Sequence, residues 1–237
     1  GCGFDPRRAR HFICSQFFAM EVPLELHLPV HTLGWIGCLL GLTVGLSACS
    51  APSKNVVRSI TNETARWLHS AAISTEYGIG WRSEPGSTSP LETSLYSGSA
   101  GVLLFLLEHG ATEPGQVSWE FARRAADELA GRIPEKVSGE EAGLYTGLAG
   151  IGFALFEAGR VLQDSRYISA ARQCVKVLIQ SARETKAGVE WNGIYDIMAG
   201  SSGIGLFLLE SSNRLENGEA KEIARKAATS RWKKSRN

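Results

Sequence analysis

Several common functional signatures are missing from this 237-residue sequence. It contains no Cys-x-x-Cys pair and no G-x-x-x-x-G-K-[ST] loop, so these metal-binding and phosphate-binding motifs are absent. Its five cysteines are odd in number and irregularly spaced, which disfavours a disulfide framework. The formal net charge is only +1, so no nucleic-acid partner is expected.

An uncharged stretch over residues 32–48 reads TLGWIGCLLGLTVGLSA. A membrane-spanning helix needs about 20 residues, so this shorter stretch is more typical of the apolar part of a signal peptide. It ends in Leu-Ser-Ala before Cys49, which resembles the lipobox of bacterial lipoproteins. We therefore predict a targeting segment over residues 1–48, lipidation of Cys49 and a tether over residues 49–54. The protein would be exported and membrane-anchored in a bacterial cell envelope.

The alternative for this stretch is a signal anchor that is never cleaved. Its glycines form a G-x-x-x-G-x-x-x-G ridge of the kind that packs transmembrane helices; they are Gly37, Gly41 and Gly45. Between Met20 and the apolar stretch there is no Lys or Arg, unlike an ordinary signal peptide. The chain also begins at Gly1 rather than Met, and a misassigned start or a fragment would account for both features.

A glycine motif recurs three times with a period near fifty residues. The copies read LYSGSAGVLLFLLE from Leu95, LYTGLAGIGFALFE from Leu144 and IMAGSSGIGLFLLE from Ile197. The glycine pairs, spaced G-x-x-G, are Gly98 and Gly101, Gly147 and Gly150, and Gly200 and Gly203. Because residues three apart share a helix face, the pairs predict close approach of a neighbouring backbone at a helix start. No strand precedes them, so they are not a dinucleotide fingerprint.

Between the glycine motifs lie segments of a different character, each with one apolar stripe and otherwise polar surface. They are residues 55–72, 120–133 and 167–183. The runs that follow the glycines are instead apolar all round, and such helices must be covered on every side. The alternation predicts an all-α fold: a two-layer α/α toroid with amphipathic helices outside and apolar helices inside. Its helix pairs stack because no pair buries its own apolar face.

The three motifs resemble those that open the inner helices of lanthionine synthetase C-like (LanC-like) proteins, over about residues 55–228. The resemblance implies a toroid of seven helix pairs, of which about three to three and a half lie in this sequence. It also implies that cyclase members bind a zinc ion through two cysteines and one histidine. The zinc activates a substrate cysteine, which adds to a dehydroalanine or dehydrobutyrine and closes a thioether ring.

The sequence departs from this pattern at the residues that carry the chemistry. It contains neither Trp-Cys-x-Gly nor Cys-His-Gly, and beyond Cys49 it has only Cys174, His69 and His109. A catalytic zinc site needs three convergent protein ligands, so we expect no metal site and no other cofactor in this chain.

Residues 55–237 are thus expected to form a partial LanC-like domain whose enzymatic activity is uncertain. The chain would be an inactive fragment of a longer zinc-dependent protein or a short, non-catalytic relative. The abrupt basic end RWKKSRN favours truncation. A free edge of apolar inner helices would then favour self-association.

Two loops before the glycine motifs hold candidate binding residues. If these loops open toward the central cavity, they place Trp81, Trp191, Asn192 and Tyr195 at its rim, where a peptide or another small ligand could bind. The plainer interpretation is that Trp191 packs its loop.

Weak catalytic candidates are Asp196, Glu190 and His109. Glu190 and Asp196 would be the general acid or base if the chain were instead a carbohydrate-active enzyme on an α/α barrel. Asp196 equally suits a helix N-terminus, and His109 a helix C-terminus, through the helix dipole. A third alternative is a membrane-tethered binding or scaffold module without catalysis.

Overall fold

The computed structural model describes residues 53–84, 86–113 and 116–234. The predicted targeting segment, the lipobox and Cys49 lie outside these residues. The described helices are α1 (Lys54–Ala71), α2 (Ser99–Thr112), α3 (Gln116–Gly131), α4 (Leu148–Val161), α5 (Ser165–Ser181), α6 (Ser201–Leu215) and α7 (Gly218–Lys234). The described strands are β1 (Ile73–Ser74), β2 (Ile79–Gly80), β3 (Arg183–Thr185) and β4 (Gly188–Glu190), and a 3-10 helix spans Gly139–Ala142. None of the described helices is long and apolar enough to cross a membrane.

The first helix begins inside the predicted tether. Ser53 is its N-cap, and the Ser53 hydroxyl accepts a hydrogen bond from the Val56 N–H at 3.4 Å. The helix therefore starts at Lys54, next to the boundary expected from the sequence.

Apolar and amphipathic helices alternate along the described chain, as predicted. The inner helices α2, α4 and α6 each pack against the outer helix that follows, and α4 also packs against both other inner helices. The side chains of Ala100, Leu103 and Leu106 in α2, and of Ala154 and Leu155 in α4, have no exposed surface. The all-α prediction is confirmed: three inner–outer pairs of an α/α toroid follow the outer helix α1.

Two short hairpins occupy stretches that the sequence pattern predicts to be loops. β1 pairs antiparallel with β2, and β3 pairs antiparallel with β4. In each turn a threonine hydroxyl accepts the N–H of a glycine three residues later: Thr75 from Gly78 at 3.0 Å, and Thr185 from Gly188 at 3.2 Å. The strands have only two or three residues each, so no apolar–polar alternation marks them in the sequence.

A buried tryptophan follows each hairpin and ties it to the preceding outer helix. The indole N–H of Trp81 donates to the Leu68 carbonyl at 2.8 Å, and that of Trp191 donates to the Leu178 carbonyl at 2.9 Å. Both carbonyls belong to the last turn of a helix, where intrahelical donors run out. Each tryptophan is only 4% exposed, so both act as packing and capping residues.

The first glycine of each motif lies where the chain folds back over a helix start. Gly98, Gly147 and Gly200 are the N-caps of α2, α4 and α6. A β-carbon on Gly98 would lie 2.6 Å from the backbone nitrogen of Ser94, and one on Gly200 would lie 2.6 Å from that of Asp196. A side chain at these positions would therefore push the preceding loop away.

The second glycine of a motif receives a side chain from the preceding repeat. A β-carbon on Gly150 would lie 2.9 Å from Leu95 Cβ, and one on Gly203 would lie 2.9 Å from Leu144 Cβ. The corresponding glycine of the first motif, Gly101, faces only the Leu95 carbonyl of its own motif among the described residues. Successive repeats thus stack by placing a leucine against a glycine.

An ion-pair cluster joins α4 and α6 near their C-terminal ends. Glu157, the closing acid of the second motif, pairs with Arg160 at 2.7 Å and with Arg214 of α6 at 2.9 Å. Burial opposes ionisation of Glu157, but the hydrogen bonds from the two arginines outweigh it and hold the pKa of this carboxyl below its ordinary value. The Arg214 guanidinium also lies 5.6 Å from the centre of the Phe156 ring.

Candidate functional site

The main chains of the three repeats are hydrogen-bonded at the N-terminal ends of the inner helices. The Tyr96 N–H donates to the Tyr145 carbonyl at 3.0 Å, and the Tyr145 N–H donates to the Met198 carbonyl at 2.8 Å. These residues hold the second position of the three glycine motifs. Equivalent residues of successive repeats therefore lie side by side, at about the 4.8 Å spacing of neighbouring strands.

We call Tyr96, Tyr145 and Met198 the motif row. Tyr96 is 67% exposed and Met198 is 40% exposed, while Tyr145 is half-buried. Aromatic and methionine side chains are enriched where proteins contact partners. The motif row thus gives this end of the repeats an accessible apolar surface.

Asp196 lies next to the motif row, at the start of α6. Its Oδ1 accepts hydrogen bonds from the N–H groups of Met198 at 2.7 Å, Ala199 at 2.8 Å and Gly200 at 3.3 Å. These bonds, chiefly the one from Ala199, hold the pKa of the Asp196 carboxyl below its ordinary value. Asp196 is exposed, so it places a negative charge at the surface beside Met198.

Glu190 is held by two side chains from its own hairpin and loop. The Tyr195 hydroxyl donates to Glu190 Oε2 at 2.9 Å, and Arg183 on the paired strand lies 3.4 Å from Oε1. The half-buried carboxylate is thus oriented by a phenol and a guanidinium. Glu190, Tyr195 and Asp196 all belong to the chain segment that leads into α6.

Asn192 organises the same segment. Its side-chain amide donates to the carbonyls of Gly139 at 3.2 Å and Ala199 at 2.8 Å, and its Oδ1 accepts from the Ile194 N–H at 3.0 Å. Asn192 therefore joins the loop to the 3-10 helix of the preceding repeat. With Trp191 buried beneath it, this residue positions the loop.

His109 lies away from these residues, in the last turn of α2. Its Nδ1 is 3.0 Å from Ser118 Oγ of α3, and its Nε2 is 2.8 Å from Asn62 Oδ1 of α1. Ten residues of helix separate it from Ser99, which is about 15 Å at 1.5 Å per residue. The structure does not bring His109 together with Glu190 and Asp196.

The family model described as lanthionine synthetase C-like protein matches residues 89–236, more than half of the chain. The chain belongs to the LanC-like family. The matched region contains all three glycine motifs and six of the described helices, from α2 to α7. No curated protein matches the chain.

The thiol and imidazole groups of the described residues do not fit the zinc site that the LanC-like family implies. Cys174 has no exposed surface and lies on the outer helix α5, and burial raises the pKa of its thiol to about 12. His69 packs on Phe121 with ring centres 4.3 Å apart, and its pKa is lowered by burial and by nearby His109. Among residues 53–84, 86–113 and 116–234, no three His, Cys, Asp or Glu side chains converge on a metal position.

Sequence reasoning missed the features that build the candidate site of this LanC-like chain. The motif row depends on main-chain hydrogen bonds, which leave no side-chain signal. The hairpin and its tryptophan do leave one: TEYGIGW from Thr75 and TKAGVEW from Thr185 share the pattern T-x-x-G-[IV]-x-W. This second repeat identifies Trp81 and Trp191 as equivalent residues.

Proposed function

We propose that this LanC-like chain binds a peptide along the motif row and does not cyclise it. The observation that carries the proposal is the hydrogen-bonded alignment of Tyr96, Tyr145 and Met198. It creates exposed apolar surface where the inner helices begin. Membership of the LanC-like family supports a peptide as the ligand. The poor fit of the described residues to a zinc site supports the absence of ring closure.

The surroundings of the motif row indicate the kind of peptide. Asp196 carries a negative charge beside Met198, and Glu190 is held nearby in the same segment. Apolar side chains of a ligand would contact the row, and a basic side chain would pair with the exposed Asp196 carboxylate. The preferred ligand is therefore a peptide with mixed apolar and basic residues.

The chemistry of ring closure needs an activated thiolate on the substrate. Zinc would supply that activation if three protein ligands converged. The one described cysteine, Cys174, is enclosed in packing and its thiol stays protonated near neutral pH. The described residues therefore support ligand retention rather than thioether formation.

Binding is tested with the full chain and a fluorescein-labelled peptide that contains cysteine, serine, threonine, leucine and lysine, followed by fluorescence anisotropy. The double variant Tyr96→Ser and Met198→Ser should weaken binding by about tenfold or more, because it removes the exposed apolar side chains of the row. A tenfold loss of affinity corresponds to about 1.4 kcal/mol of binding free energy. Val117→Ser, at a 54% exposed site on α3, is the matched control and should bind as wild type. Equal affinity in all three proteins would overturn the proposal.

Ring closure is tested separately with a peptide that carries cysteine and dehydroalanine, with and without added zinc. The number of thiols that react with a maleimide, read by mass spectrometry, should stay constant. A zinc-dependent loss of one reactive thiol would contradict the non-cyclising part of the proposal and leave the binding part intact.

Glycoside hydrolysis has less support from the same residues. A general acid must be protonated before it can donate, whereas three backbone N–H groups keep Asp196 ionised. The Glu190 carboxylate is occupied by Arg183 and Tyr195. If the wild-type chain hydrolysed a glycoside and Asp196→Ala abolished that activity, glycoside hydrolysis would be the better supported of the two functions.

We also propose that a lipid on Cys49 attaches the chain to a bacterial envelope membrane. The support is the lipobox-like Leu-Ser-Ala-Cys sequence after an uncharged stretch. An alkyne fatty-acid probe should label the wild-type chain and the control Cys38→Ala, but not Cys49→Ala. Labelling that persists in Cys49→Ala would refute this attachment.

A further inference from the structure

α1 carries an apolar stripe that is largely uncovered. Val57, Ile60, Thr64 and Trp67 follow one another in steps of three and four residues, so they share one helix face. Val57 is 45% exposed, Ile60 is 57% exposed and Trp67 is 56% exposed. Thr64 is exposed as well. We call these four residues the α1 stripe.

The same face is buried on the outer helix α5. Leu68 and Leu178 both receive a tryptophan indole hydrogen bond, and aligning them sets the register of the two helices. The residues that correspond to the α1 stripe are then Tyr167, Ala170, Cys174 and Val177. Three of the four are 1% exposed or less, and Ala170 is half-buried.

Packing against neighbouring helices covers this face of α5. Gly152 of α4 approaches Cys174, and the Tyr167 hydroxyl donates to the Arg123 carbonyl of α3 at 3.1 Å. α1 is also followed by a hairpin and a buried tryptophan, but within the described structure no helix packs over the α1 stripe. An apolar occupant of the α1 stripe is therefore expected.

The position of α1 in the chain indicates what this occupant is. Lys54 is the fifth residue after Cys49, and five residues span at most about 18 Å when extended. A lipidated Cys49 and an uncleaved anchor over residues 32–48 would both place that point of the chain at a bilayer surface. The N-terminal end of α1 must then lie within this distance of lipid.

We propose that the α1 stripe lies against the lipid bilayer, with Trp67 at the level of the headgroups. This inference rests on the membrane attachment proposed above and is independent of peptide binding. Amphipathic helices with tryptophan on the apolar face bind in this way. Glu63 borders the stripe and Arg58 is paired with Glu113 at 2.5 Å, whereas Lys54 and Arg66 are also exposed on α1. The side chains of the stripe itself are uncharged, so apolar contact drives docking.

The test reconstitutes the full chain into phosphatidylcholine vesicles with brominated acyl chains, which quench nearby tryptophan fluorescence. Trp67→Phe isolates the contribution of Trp67 by difference from wild type. We expect bromolipid to quench the Trp67 emission, and the double variant Val57→Ser and Ile60→Ser to reduce this quenching. Val117→Ser, which changes an exposed valine on α3, should leave it unchanged.

Equal quenching in wild type and Trp67→Phe would overturn the inference. If Trp67 is instead shielded from both bromolipid and aqueous acrylamide, a protein surface covers the stripe, which also overturns it. Chemical crosslinking would then show whether the covering surface belongs to a second copy of the chain or to the segment upstream of α1. A chain that is vesicle-bound but has an unquenched Trp67 refutes only this inference. A chain that carries no lipid and does not associate with vesicles refutes the membrane attachment with it.

Discussion

The second and third inner helices carry the same motif in different surroundings. Phe156 of α4 is 3% exposed and its ring centre lies 6.1 Å from that of Phe207. The corresponding residue of α6, Leu209, is 45% exposed, and Leu206 one turn earlier is 51% exposed. α4 has an inner helix on each side, whereas α6 has one described inner neighbour. The motif thus specifies an apolar helix, and the helices packed on either side determine whether its side chains are buried.

The largest expected effect comes from the enclosed member of this pair. Phe156→Ala should lower the free energy of unfolding by about 3–5 kcal/mol, because it removes a buried ring and leaves a cavity. Leu209→Ala should cost about 1 kcal/mol or less, because that side chain is already half in water. Urea denaturation followed by circular dichroism measures both. Equal losses would mean that the two helices are equally enclosed.

The glycines extend the comparison to the contacts between repeats. Gly150→Ala should destabilise the fold by about 2 kcal/mol, because the new methyl group would overlap the Leu144 carbonyl oxygen and also meet Leu95 Cβ at 2.9 Å. The higher helix propensity of alanine, about 1 kcal/mol, offsets part of this cost. Gly101→Ala should cost about 1 kcal/mol less, since its methyl group would meet the Leu95 carbonyl oxygen but no side chain of another repeat among the described residues. Thermal denaturation of the two variants at equal concentration checks the order.

The two hairpin tryptophans test whether two repeats use equivalent contacts between hairpin and outer helix. Trp191→Phe should lower the unfolding free energy by about 1–2 kcal/mol, because the buried Leu178 carbonyl loses its donor. Trp81→Phe should cost the same amount, since its hydrogen bond to Leu68 has the same geometry. A difference of more than about 1 kcal/mol between the variants in urea denaturation would show that the hairpins are not equivalent.

The smallest effect should be a pH dependence at the junction of α4 and α6. The pKa of Glu157 is lowered from its ordinary value of 4.5 in the folded protein, so the unfolded chain binds more protons in acid. The stabilisation that ionised Glu157 gives the fold is present above pH 4.5 and is lost as the pH falls through the lower pKa of the folded state. Glu157→Gln should remove about 1 kcal/mol at pH 7 and flatten the stability profile below about pH 4.5. Glu108→Gln, at the exposed matching position of α2, is the control, and the same flattening there would refute this assignment.

The inner helices could be predicted from the sequence because their signal is redundant. Glycine pairs, apolar runs and closing acids recur together at Gly98, Gly147 and Gly200, and each of these glycines is the N-cap of a helix. One physical requirement, close packing of stacked repeats, governs all three copies. Complete cover of α6 was expected from the same pattern, but cover depends on neighbours that a motif does not encode.

The candidate site was predicted less well. Glu190, Asn192, Tyr195 and Asp196 do lie in one segment, as their closeness in sequence requires. Trp191 shares that segment but packs beneath it, so an aromatic residue in a loop did not distinguish a ligand-binding role from a packing role. His109 was grouped with the acids by residue type alone, and the length of α2 separates it from them. The main-chain bonds of the motif row were not accessible to side-chain patterns at all.

Because those bonds use only N–H and carbonyl groups, every residue type except proline can supply the donors. The main chains of Tyr96, Tyr145 and Met198 thus hold the repeats in register. The proposed peptide binding would use the side chains of residues whose main chains already align the repeats.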